Sequence, residues 1–399
     1  MSASIALDPL QKQVDAARRH IKTDGYTMSV GELMSLYEHE ELHIRPEFQR
    51  LFRWTSHQQT ALIESILLGI PLPSIFVSQR PDGVWEVVDG LQRLTTIFGF
   101  AGILREPLGE DLASNGNGED GETTWDPIRE LEGTEYLPAL EGVRWEPHED
   151  GEEGGALTSA QRMMIKRAKM DVKIVLEESS AEAKYDLFMR LNTLGSRLSD
   201  QEVRNCLLVW TNVQAFRWFL HLSQVPSFRV CIPLTERDFA ERYDMELALR
   251  FVVLRNMPLD DLKGIADLGA FLTSRMREFA ENDKFPYEVE ERAFIQTFGA
   301  LEASLGADSF RKWDEAKGRF TGGFLISAFE AIAFGLGQHI ERLAGCVETD
   351  TLRCAVERVW ASDVFQKGFP GMRASQRLPR TLATGREEFG KLLDESADS

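Results

Sequence analysis

The sequence is poor in the residues that most often declare a chemistry. Its 399 residues hold four cysteines, Cys206, Cys231, Cys346 and Cys354, with no Cys-x-x-Cys spacing and no accompanying histidine pair. Neither a zinc site nor a disulfide framework is encoded, and the thiols read as buried. The seven histidines are scattered, without the paired spacing of a zinc hydrolase or an HNH nuclease, and His339 reads as packing. No apolar run reaches 18 residues. The best candidate, Phe324 to Gly337, is short and carries Glu330, so a buried helix is expected there and no membrane span. The N-terminus lacks a basic segment followed by an apolar one, which points to a cytoplasmic protein. No repeat of fixed period is present.

Positive charge is also scarce. The formal net charge is −19, which argues against a polyanionic partner held by a basic surface. The imbalance is local, however: residues 106–155 carry 16 Asp or Glu against two Arg. Net charge therefore describes an insertion more than a surface. Its Ser114-Asn115-Gly116-Asn117-Gly118 run and the glycines at 151–155 predict a solvated loop, with an acidic DNA mimic or autoinhibitory segment as the alternative.

The patterning that remains predicts an α+β fold. Residues 1–43 read as a helical lead-in, with Leu10, Val14, Ala17 and Ile21, then Val30, Leu33, Met34 and Tyr37, at helical spacing. A capping box at Ser56-His57-Gln58-Gln59 opens a helix that Gly69 closes. Ser74–Val77 and Val84–Val88 flank Pro81-Asp82-Gly83 as an antiparallel hairpin. Asp89-Gly90 then breaks the second strand before a helix over 91–104. Past the acidic stretch come a helix capped at Thr158, a strand over 172–176, a helix capped at Ser179, and a helix capped at Ser199. A domain over 44–198 with the insertion at 106–155, followed by an all-helical domain over 199–399, is the expected organisation.

Two apparent nucleotide motifs fail on context. Gly116 to Gly121 fits G-x-G-x-x-G, yet follows no apolar strand and is surrounded by carboxylates. Gly385 to Lys391 fits P-loop spacing, but Leu392 stands where the magnesium-binding hydroxyl belongs, so a C-terminal helix is expected. Asp171-Val172-Lys173 could be half of a metal-dependent nuclease core, although outward Asp and Lys around an inward Val is ordinary strand alternation.

Asp89-Gly90-Leu91-Gln92-Arg93-Leu94-Thr95-Thr96 is different, because it sits at a strand-to-helix turn. The first amides of a helix lack partners and lie at its positive end, and glycine lets a phosphate approach the backbone. Arg93 would add a bidentate donor, Thr95 and Thr96 hydroxyls, and Asp89 a carboxylate for Mg²⁺ or general-base work. Equally, Asp89 could cap the helix and Arg93 pair with it. A second cluster, Ile44 to Trp54, interleaves Arg45, Arg50 and Arg53 with Phe48, Phe52 and Trp54. Such a mixture can grip phosphate and stack on a base, or bury its rings and solvate its arginines.

In order, Arg45-Pro46-x-Phe48-Gln49-Arg50-x-x-x-Trp54, Leu62-Ile63-Glu64-Ser65-Ile66-x-x-Gly69-x-Pro71-x-Pro73-x-Ile75 and Asp89 to Thr96 resemble the N-terminal domain of GmrSD-type restriction proteins. Phe188-x-Arg190-x-Asn192-x-x-Gly195 and Met245 to Phe251 continue the likeness, which covers most of residues 25–280. The family motif is D-G-Q-Q-R, and here Leu91 replaces the first Gln. The resemblance implies a ParB/sulfiredoxin-like domain that binds an NTP, GTP favoured, with Mg²⁺. It assigns Asp89, Gln92 and Arg93 to catalysis, with Asp89 as the metal ligand. It places Arg45, Gln49, Arg50, Gly90, Thr95 and Asn192 around the nucleotide, with Glu64 as an additional acid. By the same likeness the partners are DNA, modified phage DNA included, and a separate nuclease or toxin effector; a homo-oligomer is left open. A hydrolysing sensor that licenses restriction is the leading expectation. A non-hydrolysing nucleotide- or DNA-binding module that docks an effector is the second, and a Mg²⁺-dependent nuclease using Asp171 and Lys173 the third.

Overall fold

The computed structural model describes residue 10 and residues 22–45, 54–105, 128–147, 155–177, 199–343 and 348–397. The chain divides into two units, Met1–Arg197 and Leu198–Ser399.

In the first unit the described elements run β1 (Thr23–Ser29), α1 (Val30–Glu38), β2 (Leu42–His43), α2 (Ser56–Leu67), β3 (Ile75–Gln79), β4 (Trp85–Asp89), α3 (Leu91–Phe100), α4 (Ser159–Arg167) and β5 (Lys169–Val175). The strands make one mixed sheet in the order β1-β5-β3-β4-β2. Pairs β1–β5 and β3–β4 are antiparallel, whereas β3–β5 and β2–β4 are parallel. The β3–β4 hairpin forms as its turn residues predict: Gly83 takes φ 87°, and the Asp82 carboxylate accepts from the Val84 amide at 3.1 Å. Side chains alternate across a strand, so Ile75, Val77, Val87, Met170, Val172 and Ile174 share one core with Val30, Leu33, Ile63, Leu94 and Ile165.

Three expectations for the first unit are corrected. The helical lead-in over 1–43 contains helix α1, but Thr23–Ser29 is a strand, because all seven of its residues find ladder partners on β5. The helical spacing read at Val14, Ala17 and Ile21 falls outside the described residues. The box that opens α2 is Thr55 with Gln58, one residue earlier than expected. Gln59 is freed by that shift and is buried, donating to the Trp54 carbonyl and accepting from the Ile128 amide at 3.0 Å.

The acidic stretch is the third correction. Its distal part, 128–147, is packed and not a solvated loop, since Ile128, Leu131, Leu140 and Trp145 belong to the core. Helix α2 holds it by polar contacts as well: the Thr60 hydroxyl accepts from the Glu132 amide at 3.1 Å, and Thr134 donates to Glu64. Gly116 to Gly121, the helix expected after Ser179, and Cys346 lie outside the described residues.

The second unit is helical: α5 (Asp200–Thr211), α6 (Val213–Gln224), α7 (Pro226–Cys231), α8 (Glu236–Ala240), α9 (Tyr243–Leu254), α10 (Leu259–Leu262), α11 (Leu268–Ala280) and α12 (Tyr287–Leu305). The hairpin of β6 (Lys312–Asp314) and β7 (Arg319–Thr321) follows, then α13 (Ile326–His339), α14 (Thr349–Ala361), α15 (Asp363–Lys367) and α16 (Ala374–Ala397). The expectation of an all-helical second domain is thus corrected by one hairpin, in which Trp313 pairs with Phe320. Its core is aromatic, with Phe228, Phe251, Phe294, Phe298, Phe310, Phe329 and Phe334 fully buried. A buried ionic chain joins Arg204 to Glu246, Glu246 to Arg250, Arg250 to Glu330, and Glu330 to Arg377.

The P-loop lookalike lies within α16. Gly385 is there for close packing: a Cβ on Gly335 of α13 would stand 2.8 Å from the Gly385 Cα, and a Cβ on Gly385 would strike the Ala331 backbone. Buried-thiol behaviour holds for Cys231, where burial pushes the pKa up to about 12, but Cys354 is exposed. Among the described residues no helix is long and apolar enough to cross a membrane.

Candidate functional site at the Asp89 turn

The turn is built by an irregularity in the hairpin. Val77 pairs with Val87, yet the next residue of β3, Phe76, pairs with Asp89, so the register shifts and Val88 is the extra residue. Strict alternation would send Asp89 to the same side as the buried Val87. The bulge instead turns it to the face carrying Phe76. The Asp89 side chain is accordingly 40% exposed.

Gly90 then adopts φ 95° as the N-cap of α3, and no side chain caps the helix. A side chain is excluded on two grounds, the left-handed conformation and the approach of Ile75, whose Cβ would lie 2.9 Å from a Cβ at position 90. The open first turn of α3 is therefore an anion-favouring end beside an exposed carboxylate.

Arg93 occupies a different place from the one its sequence position suggests. It donates to the Pro73 and Ser74 carbonyls, the latter at 3.2 Å, and to Asp89 Oδ2 at 3.4 Å. Its side chain is only 13% exposed. Burial lowers its pKa, and Asp89 opposes that shift. The guanidinium thus fastens the entry of β3 to the turn. Of the alternative in which Asp89 caps α3 and Arg93 pairs with Asp89, the pairing is present and the cap is not.

The other residues expected at the site are dispersed. Gln92 accepts from the Trp54 amide at 3.3 Å, joining α3 to the segment before α2. Thr95 is fully buried, and its hydroxyl has no hydrogen-bond partner among the described residues. Thr96 donates to the Gln92 carbonyl at 2.7 Å. Arg45 pairs with Glu86 at 2.8 Å, and Glu64 is engaged by Thr134. Gln49, Arg50 and Asn192 lie outside the described residues.

Asp171 and Lys173 do point outward from β5, around the buried Val172. Asp171 accepts from the Thr27 hydroxyl at 2.6 Å across the β1–β5 ladder. Among the described residues no group of three or more His, Cys, Asp or Glu could hold a metal ion. Asp89 alone fits Mg²⁺ in the manner of nucleotide sites, where one or two carboxylates and the substrate phosphates share the ion. Phe76 was not singled out by sequence; its only signal is the alternation that buries Ile75 and Val77 on either side.

Comparison with curated proteins and with solved structures finds no match. Residues 30–209 match the family model described as GmrSD restriction endonuclease, N-terminal domain. The span starts at α1, includes the whole β3–β4–α3 turn and ends in α5. Over residues 30–209 the chain is therefore similar to the N-terminal domain of the GmrSD restriction endonuclease family.

Proposed function

We infer, from the likeness over residues 30–209, a role in a restriction system directed against phage. We propose that this chain is the nucleotide-handling half of such a system: a ParB/sulfiredoxin-like site binds an NTP with Mg²⁺, and its state licenses a separate nuclease. The observation that carries this reading is the exposed Asp89 carboxylate set by a bulge beside the uncapped N-terminus of α3. Phosphate oxygens suit the open amides of α3, while Asp89 orients a metal or an attacking water. Mg²⁺, when bound with the nucleotide, supplies charge neutralisation at the phosphates. Arg93 and Gln92 act as positioning residues, because both are joined to neighbouring backbone.

A second reading, binding without turnover, is favoured by that same engagement of Arg93, which leaves no second catalytic side chain fixed beside Asp89 among the described residues. Purified protein incubated with each of the four NTPs and Mg²⁺, with and without phage DNA, separates the two. Phosphate release that Asp89→Asn abolishes supports the hydrolase. Calorimetric binding without release supports the module, and no binding of any NTP overturns both.

A further inference from the structure

The ladder registers place Lys173, Phe76 and Asp89 side by side on β5, β3 and β4, with Gly25 of β1 beyond Lys173. This row lies on the face opposite the core, since Val172, Ile75 and Val77, the residues that alternate with it, are fully buried. Adjacent strands are about 4.8 Å apart, so Lys173 and Asp89 stand about 10 Å apart at the backbone, the span of one nucleotide. Phe76 is half-buried and makes no ring contact among the described residues, nor does it belong to the core cluster. Lys173 is exposed and has no ion-pair partner among the described residues. Its side chain rests over Gly25, where a Cβ would come within 3.4 Å of Nζ.

We propose, resting on the nucleotide reading above, that this row is the base-recognition half of the site: the nucleobase stacks on Phe76 with its phosphates toward Gly90, and Lys173 donates to the base edge from the far strand. An ammonium offers donors and no acceptor. It therefore matches the keto oxygens of guanine and uracil and disfavours the amino groups that adenine and cytosine present at the corresponding position. The ligand class is a keto-base nucleoside triphosphate. A nucleic-acid strand fits the face less well. Exposed Lys169 and Lys173 on β5 are matched by Asp171 and Asp89, and that balance gives no field for a polyanion.

The test is calorimetry on the full chain with Mg²⁺ and each of GTP, UTP, ATP and CTP. GTP and UTP are expected to bind about tenfold more tightly than ATP and CTP. Lys173→Gln, whose amide both donates and accepts, should erase that preference with little loss of overall affinity. Phe76→Ala should weaken all four by about tenfold or more, whereas Phe76→Tyr should retain binding. Unchanged melting of the variants shows that affinity, not folding, has moved; a variant that melts early is replaced in the comparison by Lys173→Met or Phe76→Leu, for which the same losses are expected. Equal affinity of wild type for all four nucleotides, a preference that survives Lys173→Gln, or full binding by Phe76→Ala overturns the proposal. Absence of any nucleotide binding by wild type instead overturns the reading on which it rests.

Discussion

At Arg93 an expectation about chemistry meets a fact about burial. A guanidinium one turn into a helix is well placed for phosphate, but here it binds two carbonyls that precede β3 and the carboxylate that ends β4. Hydrogen bonds to a charged donor contribute about 1.5–3 kcal/mol when their acceptors would otherwise be stranded. Arg93→Ala is therefore expected to lower the melting temperature of the first unit by roughly 4–8 °C, from about 2 kcal/mol in a domain of this size. Arg93→Lys, which keeps charge without the planar fork, should recover part of it. An unchanged melting curve for Arg93→Ala, with nucleotide affinity lost, would return the residue to the ligand. The turn itself was legible, because Asp-Gly after an apolar strand has few other uses. The bulge at Val88 was not: period-two alternation cannot reveal a place where two residues of one strand face one of the other. That single irregularity decides which face Asp89 shares with Phe76. Likewise the Ser74 carbonyl that Arg93 reaches and the Thr134 hydroxyl that engages Glu64 lie 19 and 70 positions away in sequence, beyond the reach of local spacing.

Among the elements, helix boundaries were the most readable, since the boxes Thr158–Gln161 and Ser199–Glu202 cap α4 and α5 from local chemistry alone. Strand β1 and the packing of 128–147 were hidden because both depend on remote partners, β5 for the former and α2 for the latter. Glycine spacing in α16 was legible as not being a P-loop, but its purpose emerges only from the crossing with α13. Gly385→Ala forces a methyl group into the Ala331 backbone, and overpacking of this kind costs about 1–3 kcal/mol. A fall of roughly 3–9 °C in the melting of the second unit is expected, and a variant as stable as wild type would show that the two helices can separate freely.

The same crossing carries a pH response. His339 Nε2 lies 3.1 Å from the Arg386 carbonyl, and its Nδ1 is buried without a partner among the described residues. Burial lowers the His339 pKa, the Arg386 carbonyl opposes the shift, and Arg342 and Arg386 add to it. A histidine with a depressed folded pKa takes up more protons unfolded, so its stabilising contribution is full above about pH 6.5 and is lost as pH falls through the folded value. Melting of the second unit should decline on acidification below that point, and His339→Gln should flatten the decline. A decline of equal steepness in the variant would assign it to other groups.

On the scale of the whole molecule, the question is whether this chain cuts DNA unaided. Cleavage of a phosphodiester requires a metal or a general base beside the scissile phosphate, usually with two or more carboxylates, or a histidine and a metal ligand, converging. The carboxylates nearest to that role are each otherwise disposed. Glu64 is held by Thr134, Asp171 by Thr27, and Asp89 faces Arg93 from one side only. One exposed carboxylate beside a helix N-terminus suits a triphosphate that brings its own ligands for the metal better than a duplex that must be placed and cut. A chain whose net charge stays negative even outside residues 106–155 also gathers DNA poorly by itself at physiological salt. The purified protein with Mg²⁺ and any NTP is therefore expected to leave supercoiled plasmid intact, and to permit cleavage only when the separate nuclease proposed above is added. Mg²⁺-dependent nicking by the chain alone would overturn this expectation. Its loss in Asp171→Ala, with Asp89→Ala unaffected, would place the chemistry on β5; the reverse pattern would place it at the turn before α3.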